Sequence, residues 1–70
     1  MDVREAVLTV LREEGAPLHW TVIQDLALRR GYVDPFVTKD VRKQVLGALA
    51  DAARAGEVVK AGTGLYALPT

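Results

Sequence analysis

The chain contains no cysteine, no serine and no asparagine, and only one histidine. Without cysteine, disulfides and thiolate metal sites are excluded. A reduced, cytoplasmic setting is the matching expectation. Without serine or cysteine the usual covalent nucleophiles are missing. The lone His19 cannot build a zinc site of the usual ligand sets. No group pairs with it by spacing as a general base would require, so it reads as a helix cap or packing residue. The glycines of "AGTGL" are not a phosphate loop, because no lysine and helix follow them. The expectation is a protein that is not an enzyme, with no cofactor, no metal and no small-molecule substrate. No apolar run nears the ~20 residues of a membrane span. The opening MDVREAV lacks a signal-peptide core, so neither export nor a membrane partner is expected. Scarce thermolabile residues follow one thermophile trend, and a GC-rich genome gives a similar bias.

What remains is 70 residues, half of them apolar. That is one small domain, 1–70, of a size that buries only about 60% of its unfolded surface. The formal net charge is zero but unevenly spread. Residues 1–28 carry Arg4 and Arg12 against five carboxylates, a balance of −3. Residues 29–70 carry seven cations against Asp34, Asp40, Asp51 and Glu57, a balance of +3. Such a split supports an anionic partner on one side, although an ordinary mixed surface would also produce it.

Periodicity places three helices. The first spans about 3–14, with Asp2 as cap, Glu5 in a capping-box position and Gly15 as stop. Val3, Val7, Val10 and Leu11 form its core stripe. Pro17 breaks the chain, and Leu18 is free to enter the core as a one-residue strand. The second helix spans about 20–30, with His19 at the cap and Ile23, Leu26 and Ala27 inward. Arg29 and Arg30 suit its negative end, and Gly31 stops it. Asp34-Pro35 marks a turn, with Tyr32 and Phe36 expected to pin this connector to the core. The third helix spans about 39–55, with Thr38 as cap and Gly56 as stop. Its stripe is Val41, Val45, Leu49, Ala52 and Ala53, widened by Leu46. The outer face carries Lys39, Arg42, Lys43, Gly47, Ala50 and Arg54. A β-hairpin follows over about 57–68, turning at Gly62-Thr63-Gly64. Val58 or Val59, with Tyr66 and Leu68, should cover the core. An isolated hairpin is not stable in water, so it must pack on the helices, with Leu18 available as a third strand. The fold class is mostly α with a small C-terminal hairpin (α+β), in the order of a winged helix-turn-helix domain.

Three segments carry a family resemblance. They are "AVLTVLREEGAPLHWTVIQDLALRRGYV", the long helix "TKDVRKQVLGALADAARAG", and the "G-x-Y-x-L" ending within "GTGLYAL". Together they resemble the HARE-HTH group of winged helices. That group includes the N-terminal domain of the delta subunit of bacterial RNA polymerase. The resemblance covers nearly the whole chain. It departs at His19 and Val22, where the family often has Ser or Thr and an acidic residue. It also departs at 33–37, which lacks the usual "T-P" start of the third helix. The resemblance implies a winged helix with a DNA-binding or transcription-related role.

Two binding readings follow. In the first, the third helix enters the major groove of double-stranded DNA, as second helices of helix-turn-helix motifs do. Arg42 would then read guanine and Gln44 adenine, with Lys39 and Lys43 nearer phosphates. Thr38 would cap and donate to a phosphate, while Lys60 and Thr63 on the wing would reach a flanking phosphate or the minor groove. The bland alternative is the solvated face of an amphipathic helix. In the second reading the domain binds protein, a second copy or a docking partner. Leu8, Trp20 and Leu28 fall off the core stripes, and Trp20 and Leu28 share a face that could form an apolar patch. Alternatively, Trp20 closes one end of the core beneath the hairpin.

Overall fold

The computed structural model describes residues 1–70. Its first helix, α1 (Val3–Glu14), begins where the Asp2 carboxylate accepts the Glu5 N–H at 2.8 Å. Gly15 ends it in the left-handed conformation (φ 63), donating to the Leu11 carbonyl. Ala6, Val7, Val10 and Leu11 are buried, whereas Val3 of the expected stripe is only half-buried against the core. After Pro17 come the short strand β1 (Leu18–His19) and helix α2 (Trp20–Arg29). The imidazole Nδ1 of His19 serves as the α2 cap, accepting from the Thr21 N–H. Past Gly31 (φ 73) the chain folds back, and Tyr32 and Val33 both donate to the Ala27 carbonyl.

That return places Val33, only 2% exposed, in the core. Phe36 does not pin the connector; it is 97% exposed. The Asp34 carbonyl accepts from Val37 and Thr38, and its carboxylate accepts from Phe36 N–H. This closed turn aims Phe36 and Val37 at solvent. It also takes Thr38 away from its expected role. The cap of helix α3 (Val41–Arg54) is Asp40, whose carboxylate accepts from Lys43 N–H. Asp40 is left-handed (φ 51), a conformation that Asp tolerates better than most side chains. A residue in that conformation cannot extend the helix backwards, so α3 starts at Val41 instead of Lys39.

Val45, Ala48, Leu49 and Ala52 line the buried face of α3, and α1 lies across it. The core consists of 13 buried residues, all apolar or aromatic, with no charged group among them. Gly47 faces outward with open space where a Cβ would stand, and its φ is not left-handed. Gly47→Ala should therefore stabilise the fold by about 1 kcal/mol, raising Tm by roughly 4–8 °C in a calorimetric scan.

Strands β2 (Val59–Gly62) and β3 (Leu65–Ala67) complete a three-stranded antiparallel sheet of order β1-β3-β2. Leu18 pairs with Tyr66 and His19 with Leu65, so Leu18 does supply a third strand. Gly62 pairs with Leu65, which shortens the turn to Thr63-Gly64, and Ala61 bulges out of register. Alternation then settles which valine faces inward: Val58 is buried, and Val59 is 46% exposed. The result is a winged helix-turn-helix arrangement of three helices and a wing.

Long-range ion pairs tie the helices together at the surface. Arg4 of α1 bonds Glu57, just before the wing. Arg30 bridges Glu13 and Glu14 at 2.9 and 2.7 Å, and the Tyr32 hydroxyl donates to Glu13 at 2.7 Å. The hydrogen bond to Glu14 holds the Arg30 guanidinium protonated beyond its ordinary range. The bond to Glu13 raises the Tyr32 phenol. This cluster fastens the C-terminal ends of α1 and α2 together.

Candidate nucleic-acid interface

Three elements meet at Trp20. Its backbone N–H donates to the Gly64 carbonyl at 2.9 Å, which carries the β1–β3 ladder into the wing tip. The His19 ring lies 5.8 Å from the indole and packs against Gly64. From the start of α3, the Arg42 guanidinium stacks over the indole at 5.5 Å. The wing tip, the start of α2 and the start of α3 are thus joined through one half-buried aromatic ring. A Cβ on Gly64 would sit 2.7 Å from His19 Nε2, and its φ of 71 already favours glycine. Gly64→Ala should cost at least about 1–2 kcal/mol through the left-handed strain alone. Because Trp20 is the single tryptophan, a shift in its fluorescence maximum would report the displaced wing.

The ion pairs sort the nine cations. Arg4, Arg29, Arg30 and Arg54 are each paired with a carboxylate. Arg12 is turned back on its own helix, donating to the Leu8 carbonyl and Thr9 Oγ1. The other four are Lys39, Arg42, Lys43 and Lys60, and all are exposed with no carboxylate in ion-pair range. Asp40 stands among them, but its carboxylate is turned onto the Lys43 backbone N–H as the helix cap. These four are the cations that the sequence singled out for an anionic partner.

They do not form one cluster with the other expected residues. Arg42 and Lys43 line a shallow depression of about 300 Å³ with Asp40 and Leu46. Gln44 is two residues beyond Arg42, about 200° round a helix at ~100° per residue. It lines a different groove, of about 580 Å³, between the α1 N-terminus and α3, together with Thr38. Arg42 and Gln44 therefore project from different flanks of α3. Thr38 is half-buried and does not cap. Lys60 is exposed on the edge strand β2, opposite Tyr66, and Thr63 is exposed at the turn.

Leu8, Trp20 and Leu28 are half-buried and packed against the core. Trp20 also lies at the junction of hairpin and helices. The large apolar side chains that do face solvent include Phe36 and Val37. Asp40 is the positioning residue that the sequence reading missed, because Thr38 competes with it as a cap; His19, an uncommon cap type, caps α2 as expected.

No three His, Asp or Glu side chains converge as metal ligands would. No helix is long and apolar enough to cross a membrane. Against known proteins, no family model, no curated protein and no solved structure matches this chain.

Proposed function

We propose that this chain is a nucleic-acid-binding winged helix of the HARE-HTH type, acting on double-stranded DNA in a cytoplasmic, transcription-related role. One observation carries the reading. Ion pairing takes up four cations elsewhere, Arg12 turns back onto its own helix, and those around the start of α3 and on the wing are left free. These are the elements by which helix-turn-helix proteins approach DNA.

In this reading the N-terminal turns of α3 enter the major groove. Lys39 and Lys43 meet phosphates, and Lys60 with Thr63 meets a flanking phosphate from the wing. Arg42 is the base-reading candidate. Its guanidinium lies over the Trp20 ring, 5.5 Å from the centroid, and has no hydrogen-bond partner in its own chain, so its N–H groups are free for bidentate bonds to guanine. The stack also limits the rotamers that binding must freeze. Gln44, on the other flank, takes no part in base readout. On random-sequence duplex no guanine is fixed opposite Arg42, so its charge serves the backbone together with those of Lys39, Lys43 and Lys60. Four such contacts give a monomer of modest affinity, in the non-specific range of ~1–100 μM.

A titration of ¹⁵N-labelled protein with random-sequence duplex tests this. Amide shifts should centre on Lys39 to Lys43 and on Lys60, with quenching or shift of Trp20 emission, and should fade as salt is raised. No shift with ~100 μM duplex at low salt, which lies at the weak end of non-specific binding, would overturn the reading.

A further inference from the structure

The cap of α2 leaves one ring nitrogen of His19 unused. Nδ1 accepts from the Thr21 N–H at 3.3 Å, and the Thr21 hydroxyl lies 2.8 Å from the same nitrogen. A neutral imidazole whose Nδ1 accepts carries its proton on Nε2. Nε2 makes no hydrogen bond within the chain. The one buried side-chain polar atom without a partner is Gln24 Oε1, so Nε2 reaches solvent. Its place is the wing tip, where a Cβ on Gly64 would come within 2.7 Å of it. The same indole on which this ring packs carries the Arg42 guanidinium. An open N–H donor therefore stands where the wing tip meets the start of α3.

The charges around the ring favour an anion. No carboxylate comes within ion-pair range of it. The wing turn, Gly62 to Leu65, has no charged side chain, and α2 has none before Asp25, which is paired with Arg29. At the start of α3 the Asp40 carboxylate is turned onto the Lys43 N–H. What the ring faces is positive: Arg42 across the indole and the N-terminal end of the α2 dipole. A proton gained by the ring and a phosphate brought beside it therefore stabilise each other. The ring is held in both forms. Once protonated, Nδ1 no longer accepts from the Thr21 N–H, but it can donate to the Thr21 hydroxyl already beside it. Nε2 thus keeps its direction. Imidazole is the side chain that ordinarily changes charge between about pH 5 and 8, and His19 is the only one in the chain.

We infer that His19 is a further phosphate contact at the wing-to-helix junction, and that through it DNA binding strengthens as the pH falls. The inference rests on the reading of α3 and the wing as a DNA site, and adds to it a residue and a regulation. One charged contact adds about 0.9 to the salt slope and roughly tenfold in affinity at ~50 mM salt.

Fluorescence anisotropy of a labelled random-sequence duplex tests it at about pH 8 and about pH 5.5, near the two ends of the imidazole range. At ~50 mM salt the affinity should be about tenfold higher at the lower pH, and the slope of log K against log salt should steepen from about −3.6 to about −4.5. His19→Asn replaces the ring with a favoured cap type, so α2 stays capped. Its affinity should be the same at both pH values, with its thermal unfolding at the higher pH confirming that it folds. In ¹⁵N spectra of the single imidazole, duplex added at about pH 7, inside that range, should move the ring towards the imidazolium form. An affinity of the unaltered protein that ignores pH, an acid gain without a steeper salt slope, or an acid gain that survives His19→Asn would each overturn the inference and leave the DNA reading standing. No binding at either pH would remove both.

Discussion

The double variant Arg42→Gln, Lys43→Gln should bind duplex DNA about 100-fold more weakly than the unaltered protein at low salt, while its unfolding midpoint falls by only ~2–8 °C. The size follows from counterion release. Each phosphate contact changes log K by about 0.9 per decade of salt, which is roughly tenfold at ~50 mM. Arg42 and Lys43 are exposed and make no ion pair, so their removal leaves no buried carboxylate stranded. Within the fold, the substitutions remove the stack of Arg42 on Trp20, worth ~0.5–1 kcal/mol at an exposed site. A matched control is Arg29→Gln, Arg54→Gln. It removes the same charge from residues already paired with Asp25 and Asp51, and it should cost far less affinity. Fluorescence anisotropy of a labelled duplex checks both variants. Equal losses from the two would mean that net charge alone, and no defined face, governs binding.

Leu49→Ala should remove a large part of the folding free energy. Leu49 is fully buried on α3, among the largest side chains in the core. Leu→Ala at such sites costs ~2–5 kcal/mol, depending on how far the cavity collapses. A domain of this length has only about 3.5–10 kcal/mol in total, at ~0.05–0.15 kcal/mol per residue. The midpoint should fall by roughly 10–30 °C, taking ~4–8 °C per kcal/mol for a chain of this size. Urea melts followed by Trp20 emission and by helical circular dichroism should shift together. Leu46→Ala, at a half-buried position on the same helix, should cost much less. Similar small costs at both positions would mean that α3 is not seated on α1 as described.

How much of this was readable in the sequence depends on whether the determinants are local. The ends of α1 were legible because Asp2 and Gly15 each act within four residues. The start of α3 was not, because Thr38 and Asp40 are both good caps two residues apart. The choice was made by the Asp34 turn, which uses the Thr38 N–H and fixes Asp40 in the left-handed region. Hydrophobicity favours Phe36 over Val33 as the buried connector residue, yet the bonds of Tyr32 and Val33 to the Ala27 carbonyl decide which side chain faces the core.

The candidate site divides the same way. Which residues are cationic is plain from the chain, and the pairing of Arg29 with Asp25 follows from helical spacing. The pairs of Arg30 with Glu13 and Glu14, and of Arg4 with Glu57, join residues 16 or more apart. Only the fold shows that these arginines are taken and that Lys39, Lys43 and Lys60 are left. The Arg42–Trp20 stack likewise depends on how α2 and α3 cross. It makes Trp20, which the sequence offered either to a protein partner or as a lid beneath the hairpin, part of the wing-to-helix junction.

The central claim is that four unpaired cations at the start of α3 and on the wing form an electrostatic site for DNA. The slope of log K against log salt for the unaltered protein and a random-sequence duplex tests it most directly. Four phosphate contacts predict a slope near −3.6, so that affinity falls by about 150-fold between ~50 and ~200 mM salt. A slope near zero, or no binding by ~100 μM at the lower salt, the weak end of non-specific affinity, would contradict it.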